Sequence, residues 1–511
     1  MFHWGRPEPA SEFGTVVRCK KYYWAPCISW CMVYRAYKLR HFRTTELALF
    51  SKTMSKSKKK KKTLPQGSNG KKMERFGLLY PRSAGIDVGS MLMIVSYTDV
   101  QDRIQLREFN SFTDSLHQLA DLLKQEGVEI VTMEATGSYW QTLFSILEDR
   151  GLKVVIINPS HYRNVAAQKT DIQDAQWLHQ LLTHGLLKNS HIATELYREL
   201  RHYIHERTLC QDQKSDLLNR IQKNLTLMNI KFQHLISDIE GLAGMKLLRA
   251  IASGVSDPET LLRQIDYHRL KASPEDLLSS LKGDYRQGQI NILQCSLDTY
   301  DFLKGQMLKY EDYMEETLKK LLPEDAKQTN PSMKKKGVVR KNQYHFKASA
   351  YLHAVFGVDL TEVEGLDEIG LLTILAVTGT DMSKWPTAAH FSSWLNLSPR
   401  PKITGGRVIG YQKRVTHNPA TQAFRLAANS LWQSKGPLGR LYRKLAATKG
   451  KAKAIKAVAR RMAVIFYNMV LKKEAFDIKK VQQDTAVQQA KKIARMQKEL
   501  AQYGYTIKKA A

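Results

Sequence analysis

The sequence predicts an α/β domain, then long amphipathic helices, then a mostly α-helical C-terminal domain. Three observations predict it. From about Ser83 to Ser190, short β-branched runs alternate with helical periods; from about Thr194 to Pro323, apolar residues recur at spacings of three and four; from Ala348 to about Phe476, Gly and Pro punctuate further helical stretches. A chain of 511 residues, 43% of them hydrophobic, is long enough for two or three domains with real cores.

Taken in order, the first region offers strands at Ala84–Asp87, Met91–Thr98, Ile104–Phe109, Val128–Met133 and Val154–Asn158. Helical periods fall at Thr113–Gln125, Tyr139–Asp149 and Asp171–Leu182. Three strands, a helix, a strand, a helix and a strand follow the order of an RNase H-like fold, which sets residues 83–190 apart as one domain.

Four acids stand at chosen places in that order. Asp87 closes the short apolar approach AGID and is followed, after Val88, by Gly89; Glu134 closes VEIVTME and the chain turns at once through ATG. A carboxylate at a strand end, released into a Gly-bearing turn, is a recurrent way of aiming an acid out of an α/β sheet. Asp171 and Asp174 are three residues apart and share one helix face, with Ala175, Leu178 and Leu182 continuing as an apolar stripe. Taken alone, such a pair is more often a capping pair on a solvated helix. If the helix packs across the two strand ends, however, four carboxylates converge, and so many negative charges persist only when divalent cations neutralise them. Hard oxygen ligands select Mg2+ or Mn2+, and a pair of such ions roughly 3.5–4 Å apart serves phosphodiester chemistry.

The charge balance points to a polyanion. Lys and Arg number 79 against 48 acids, a formal net charge of +31. That is the footprint of a nucleic-acid partner, with a merely soluble basic protein as the bland alternative. Cys19, Cys27, Cys31, Cys210 and Cys295 form no paired framework, so a reducing compartment is expected. No apolar run reaches about 18 residues, so no membrane span is expected. The first 53 residues, with Trp4, Trp24 and Trp30, show no clear period, and a second start is plausible at Met54. Residues 1–82 therefore read as an extension plus a basic tail, disordered by composition around Lys58–Lys62.

The middle region, 191–330, carries two seams. Leu218, Ile221, Leu225, Met228, Phe232, Leu235 and Ile239 form the first; Leu293, Leu297, Tyr300, Met307, Tyr310, Met314 and Leu321 form the second. Two long helices in a coiled coil are the economical picture, with packing inside one chain and pairing of two chains both open. Residues 331–347 read as a basic linker. In the region 348–475, VEGLDEIGLLTILAVTG resembles a helix–hairpin–helix element whose Gly365 and Gly370 offer amides to phosphates. Thr404 precedes Gly405 and Gly406, a pair that permits a tight turn, and Arg407 follows; a plain loop hydroxyl is the bland reading of that threonine. After Gly450, Ile455, Val458, Met462, Phe466 and Met469 share one helix face, while Lys449, Lys453, Lys456 and Arg460 stripe nearly the opposite one, suited to a phosphate backbone. Residues 476–511 read as a polar helical tail.

Together, GIDVGS, MEATGSYW, NPSHYRNVAAQKTDIQDAQWLHQLLTHGLL and FSSWLNLSPRPKITGG…FRLAANSL…GPLGRLYRK resemble, in order, the blocks of DEDD-type insertion-sequence transposases, the IS-one-ten family of recombinases, over roughly residues 83–475. The resemblance implies a RuvC-like domain whose Asp87, Glu134, Asp171 and Asp174 bind magnesium, a C-terminal transposase domain that supplies a nucleophilic hydroxyl, and a coiled coil that joins subunits. It also implies DNA as substrate, a structured guide RNA as partner, and a location with the bacterial nucleoid in the cytoplasm. In that family the nucleophile is a serine directly before the Gly-Gly pair; here the position holds Thr404, whose extra methyl crowds an in-line approach, while Ser392, Ser393 and Ser398 lie nearby but off the matching position. Two other readings remain: a resolvase-like nuclease using the four acids alone, and an inactive nucleic-acid-binding relic.

Overall fold

A computed structural model describes residues 77–135, 137–158, 171–324, 342–412, 418–477 and 493–504. The readings placed on the extension and Met54, on Lys58–Lys62, on Cys19, Cys27 and Cys31, and on most of the linker and tail lie outside the described residues.

The α/β domain is built on a five-stranded sheet of spatial order β3-β2-β1-β4-β5. Its strands are β1 (Ser83–Val88), β2 (Leu92–Thr98), β3 (Ile104–Asn110), β4 (Ile130–Glu134) and β5 (Lys153–Ile157). β1, β2 and β3 form an antiparallel meander, whereas β4 joins β1 and β5 in parallel. That mixed order is what an RNase H-like domain requires, and the element sequence predicted it; the observed bounds shift by one or two residues. Helices α1 (Thr113–Gln125) and α2 (Trp140–Asp149) pack Leu119, Leu123, Leu143 and Leu147 onto one face. On the other face lies α3 (Asp171–Thr183), with Leu178 and Leu182 against Ile130 and Ile157.

The middle region corrects one expectation. The first long helix, α4 (Glu195–Leu227), ends before Phe232, so Met228, Phe232, Leu235 and Ile239 do not continue one helical seam. The chain turns there because Asn229 takes a left-handed conformation at φ 54°, which a helix cannot carry on. The Gly- and Pro-interrupted stretch then forms α5 (Leu242–Ala252), α6 (Pro258–Arg263) and α7 (Pro274–Leu281), the last two opened by Asp257 and Ser273 caps followed by Pro. These helices bury their apolar faces in one core with residues of the long pair, among them Ile221, Leu225, Leu293 and Leu297.

The second long helix, α8 (Gln287–Leu321), runs back along α4 within the same chain. The antiparallel sense follows from the contacts: Asn224 donates to the Gln289 carbonyl at one end, and Arg207 pairs with Glu311 near the other. Both partners of the Arg207–Glu311 pair are buried, as are Lys214 and Glu240 at 2.7 Å. Buried charges are tolerable only when paired and hydrogen-bonded in this way, and such pairs fix register more than they add stability.

The C-terminal region is helical around a large core. Its helices are α9 (Ala348–Phe356), α10 (Glu368–Thr378), α11 (Ala388–Trp394), α12 (Pro419–Ser430), α13 (Pro437–Lys449) and α14 (Lys451–Lys472), interrupted by the hairpin β6 (Pro401–Thr404) and β7 (Arg407–Tyr411). Phe356, Phe391, Phe424 and Phe466 meet at the centre, and Leu200 and Ile204 of α4 with Met314 and Leu318 of α8 join the same core. The long pair thus packs into this region at one end.

Candidate active site

The four predicted acids arrive from three elements. Asp87 lies one step past Ile86, which is paired with Met133 on β4, and Glu134 follows Met133. Two parallel neighbouring strands therefore release their carboxylates at the same sheet edge. The third element is held by an absence of bulk: a Cβ on Gly85 would fall on the backbone nitrogen of His179 and lie 2.6 Å from the Ala175 carbonyl oxygen. Only glycine lets α3 rest directly on β1. That contact carries Asp171 and Asp174, in the first turn of α3, toward Asp87.

The electrostatics record the convergence. Asp87 is half-buried and its pKa is raised to about 6, first by burial, then by the charges of Asp171, Asp174 and Glu134. All three other predicted acids therefore act on Asp87. Asp171 is exposed and Asp174 half-buried, so the cluster opens to solvent on the α3 side. Among the described residues no three such side chains already enclose a point where an ion would sit. The acids are neighbours in charge rather than a closed cage, as mutually repelling carboxylates must be. The donor set, four hard oxygen carriers with one carboxyl strained by like charge, fits Mg2+ or Mn2+.

His179 escaped the sequence reading. It is 2% exposed, with Nδ1 3.0 Å from Ser96 Oγ and Nε2 3.1 Å from Thr98 Oγ1, and burial lowers its pKa to about 4. A neutral imidazole thus ties α3 across β1 to β2. Thr183 repeats the anchoring one turn later, its hydroxyl 2.9 Å from that of Ser83. The signal was present: His179 shares the apolar face of Ala175, Leu178 and Leu182.

Thr404 is placed very differently. It ends β6, opposite Arg407, across a turn in which Gly405 and Gly406 have φ 54° and 76°. Two successive positive φ values are those of a type I′ hairpin turn, so the tight turn read from the glycine pair forms. Every residue of β6 is exposed, Thr404 included, and so is Arg407 on β7. Among the described residues the Thr404 hydroxyl makes no hydrogen bond, to the acids or to anything else. Two of the nearby serines are otherwise engaged: Ser392 is buried, its hydroxyl bonded to the Ala389 carbonyl and 3.1 Å from Ser398 Oγ.

The basic stripe forms, with one correction. Lys453, Lys456 and Arg460 are exposed on α14 while Val458, Met462 and Phe466 are buried. Lys449 ends α13 instead, separated by Gly450 at φ 82°. The glycines proposed as amide donors to phosphate are also used otherwise. Gly365 lies under the Ala427 carbonyl of α12, and the Gly370 N–H donates to Asp367 Oδ1, which caps α10. A capping carboxylate occupies the place an anion would take.

A mixed sheet of this order, flanked by helices, is consistent with an RNase H-like domain. Residues 84–230 match the DEDD transposase model of the IS110 group, described as Transposase, and residues 358–443 match the model Transposase IS116/IS110/IS902 family. The two matched stretches are domains of IS110-family DEDD transposases, and the chain is a DNA transposase. A comparison with curated proteins finds no match. No helix among the described residues is long and apolar enough to cross a membrane.

Proposed function

We propose that the chain cuts and rejoins DNA strands of an insertion sequence through the Thr404 hydroxyl, assisted by a divalent metal at Asp87, Glu134, Asp171 and Asp174. The observation that carries this reading is the action of the other three acids on half-buried Asp87. Bound there, Mg2+ would supply charge neutralisation to a phosphodiester in the course of transfer. Asp87 and Glu134 are held by the sheet, and His179 with Gly85 keeps α3 in place, so the acids form a rigid acceptor for that ion. Thr404 Oγ forms the new bond to phosphorus, a deoxyribose oxygen leaves, and the phosphate stays on the threonine until a hydroxyl of the new strand displaces it. Arg407 and the exposed cations Lys449, Lys453, Lys456 and Arg460 position the phosphate backbone, and Gly405 and Gly406 let it come close.

Residues 83–190 serve as the RuvC-like unit, 191–330 as the coiled-coil region, 331–347 as a basic linker whose Tyr344 and Phe346 are anchored in the C-terminal core, and 348–475 as the transposase unit. The net charge of +31 supports a second polyanion, a structured RNA that selects donor and target by base pairing. The seams are satisfied within one chain, yet Ile292, Phe302 and Leu308 on α8 are 53%, 63% and 45% exposed, apolar surface that a second copy would cover in a dimer or tetramer.

The test is covalent trapping with element-end DNA, the adjacent non-coding RNA and magnesium, run on a denaturing gel. A protein–DNA adduct that disappears in Thr404→Ala establishes the mechanism. Because Thr404 shares no hydrogen bond with the acids, a resolvase-like nuclease is the second reading; free cut ends without an adduct, unchanged in Thr404→Ala, would select it. Binding with neither cut nor adduct would mark an inactive relic.

A further inference from the structure

A cavity of about 440 Å3 lies where α4, α10 and α12 meet, and neither the four acids nor the hairpin strands line it. Its walls are mostly apolar, with Ile204, Ile369 and Leu426 among them, and Arg201 reaches it from α4. Two arginines less than two turns apart on α4 make the contrast. Arg207 is fully engaged: Glu311 at 2.9 Å, the Asn342 carbonyl at 3.1 Å and the Tyr344 ring 5.0 Å away. Arg201 is half-buried and has no hydrogen bond or ion pair among the described residues. Burial and the neighbouring Arg198 both work against its charge. A guanidinium does not neutralise itself, so a half-buried unpaired one is prepared for an anion from outside.

The rest of the lining says which anion. Asp367 stands in the same wall with Oδ1 held by the Gly370 amide, leaving its second oxygen to accept from an N–H group. An apolar slot beside one cation and one carboxylate suits a ligand with a flat apolar body, ring N–H donors and a phosphate. We infer that this cavity is a nucleotide pocket: Arg201 grips a phosphate of a single-stranded stretch of the nucleic-acid partner, and the adjoining base lies against Ile204, Ile369 and Leu426. The inference rests on the nucleic-acid reading but not on the acid cluster or on Thr404. α12 is where it would matter, since its first residue, Pro419, lines the cavity and the chain before it leads from the Thr404 hairpin.

The test uses the full chain and fluorescence anisotropy with a labelled single-stranded oligonucleotide of roughly 12 nucleotides, a duplex of the same sequence, and guanosine monophosphate or inorganic phosphate as competitor. Arg201→Gln is expected to weaken single-strand binding about tenfold and to lower the salt slope by about 0.7, with duplex affinity unchanged. Guanosine monophosphate competes on the parent chain and not on the variant, and inorganic phosphate competes far less well. Leu426→Ala, at a residue already 59% exposed and so tolerant of change, is expected to weaken guanosine monophosphate and the single strand, and to leave inorganic phosphate and the duplex unchanged. Unchanged single-strand affinity in Arg201→Gln, an equal loss on duplex and single strand, or phosphate competing as well as the nucleotide would each overturn the pocket. Loss of all binding by the parent chain would instead sink the nucleic-acid reading itself.

Discussion

The acid cluster and the Thr404 hairpin belong to one proposed reaction, yet they are built on opposite principles. Asp87 and Glu134 project from central strands of a buried sheet, and α3 is fixed on that sheet by Gly85 and by a buried histidine. The hairpin is a two-stranded ribbon with Ile403, Val408, Ile409 and Tyr411 each more than half exposed. An isolated ribbon of that kind is marginal in water. The proposed metal site is thus prepared before substrate arrives, while the proposed nucleophile sits on an element whose position substrate or partner must complete. Charge strain is stored in the first, conformational freedom in the second.

The strongest way to break the contrast is Asp87→Asn. Strand cleavage should fall by about a thousandfold or more, since the hub of the proposed site loses its charge. Stability should move the other way. A carboxyl raised from 3.8 to about 6 is stabilising below the unfolded value and loses that contribution as pH rises through 6. At pH 7.5 the ionised Asp87 therefore destabilises the metal-free fold by roughly 2 kcal/mol, discounted for partial exposure. Melting curves at pH 7.5 in EDTA should place Asp87→Asn above the parent, and added Mg2+ should raise the parent only. A lower melting point for the variant at that pH would contradict the strain.

Thr404 tests the other side. Thr404→Ala should abolish the adduct with no change in melting temperature, because the side chain is exposed and unbonded. Thr404→Ser should cut as fast or up to about tenfold faster, since it removes a methyl that restricts χ1 and approach. A serine variant slower than the parent would mean that the methyl is used, and single-turnover cleavage decides it.

Much of this was legible before any fold was seen. Strand order followed from β-branched runs, and the four acids stood out because strand ends and a helix first turn are where acids are aimed. The long-range partners were not legible. Gly85 reads as one more small residue in AGID until α3 is laid across it. The break at Asn229 was hidden by apolar residues that kept helical spacing past the true end of α4. Gly365 and Gly370 looked like phosphate donors because sequence cannot show Asp367 or Ala427 already there. Spacing reports which face is apolar; it does not report what covers that face.

Gly85→Ala turns the packing claim into a number. The new methyl meets backbone of α3 rather than a flexible side chain, so relief requires α3 to move. A loss of about 2–4 kcal/mol is expected, with Mg2+ stabilisation lost as well because Asp171 and Asp174 move with the helix. A smaller effect belongs to acid. His179 and His191, the latter packed on Trp385 at 5.0 Å, are both lowered to about 4 by burial. Each contributes stability that is present above pH 6.5 and lost as pH falls toward 4, up to about 3 kcal/mol for the more buried His179. His179→Gln should flatten the melting temperature against pH over that window, and an unchanged slope would remove His179 from the account.

The smallest expected effect separates the two regions most cleanly. Gly406 has φ 76° with open space around it, so Gly406→Ala meets no atom and suffers only the backbone preference against positive φ, about 1 kcal/mol. At Gly85 the same substitution is a collision inside the domain; at Gly406 it is a local bias in a ribbon that contributes little to global stability. The melting temperature should therefore stay within about 1 °C of the parent, while adduct formation slows about fivefold because fewer molecules hold Thr404 at the hairpin tip. Paired melts and trapping time courses on the two glycine variants settle the matter. If Gly406→Ala lowers the melting point as Gly85→Ala does, the hairpin is part of the folded core, and the proposed nucleophile is prepared in advance like the acids.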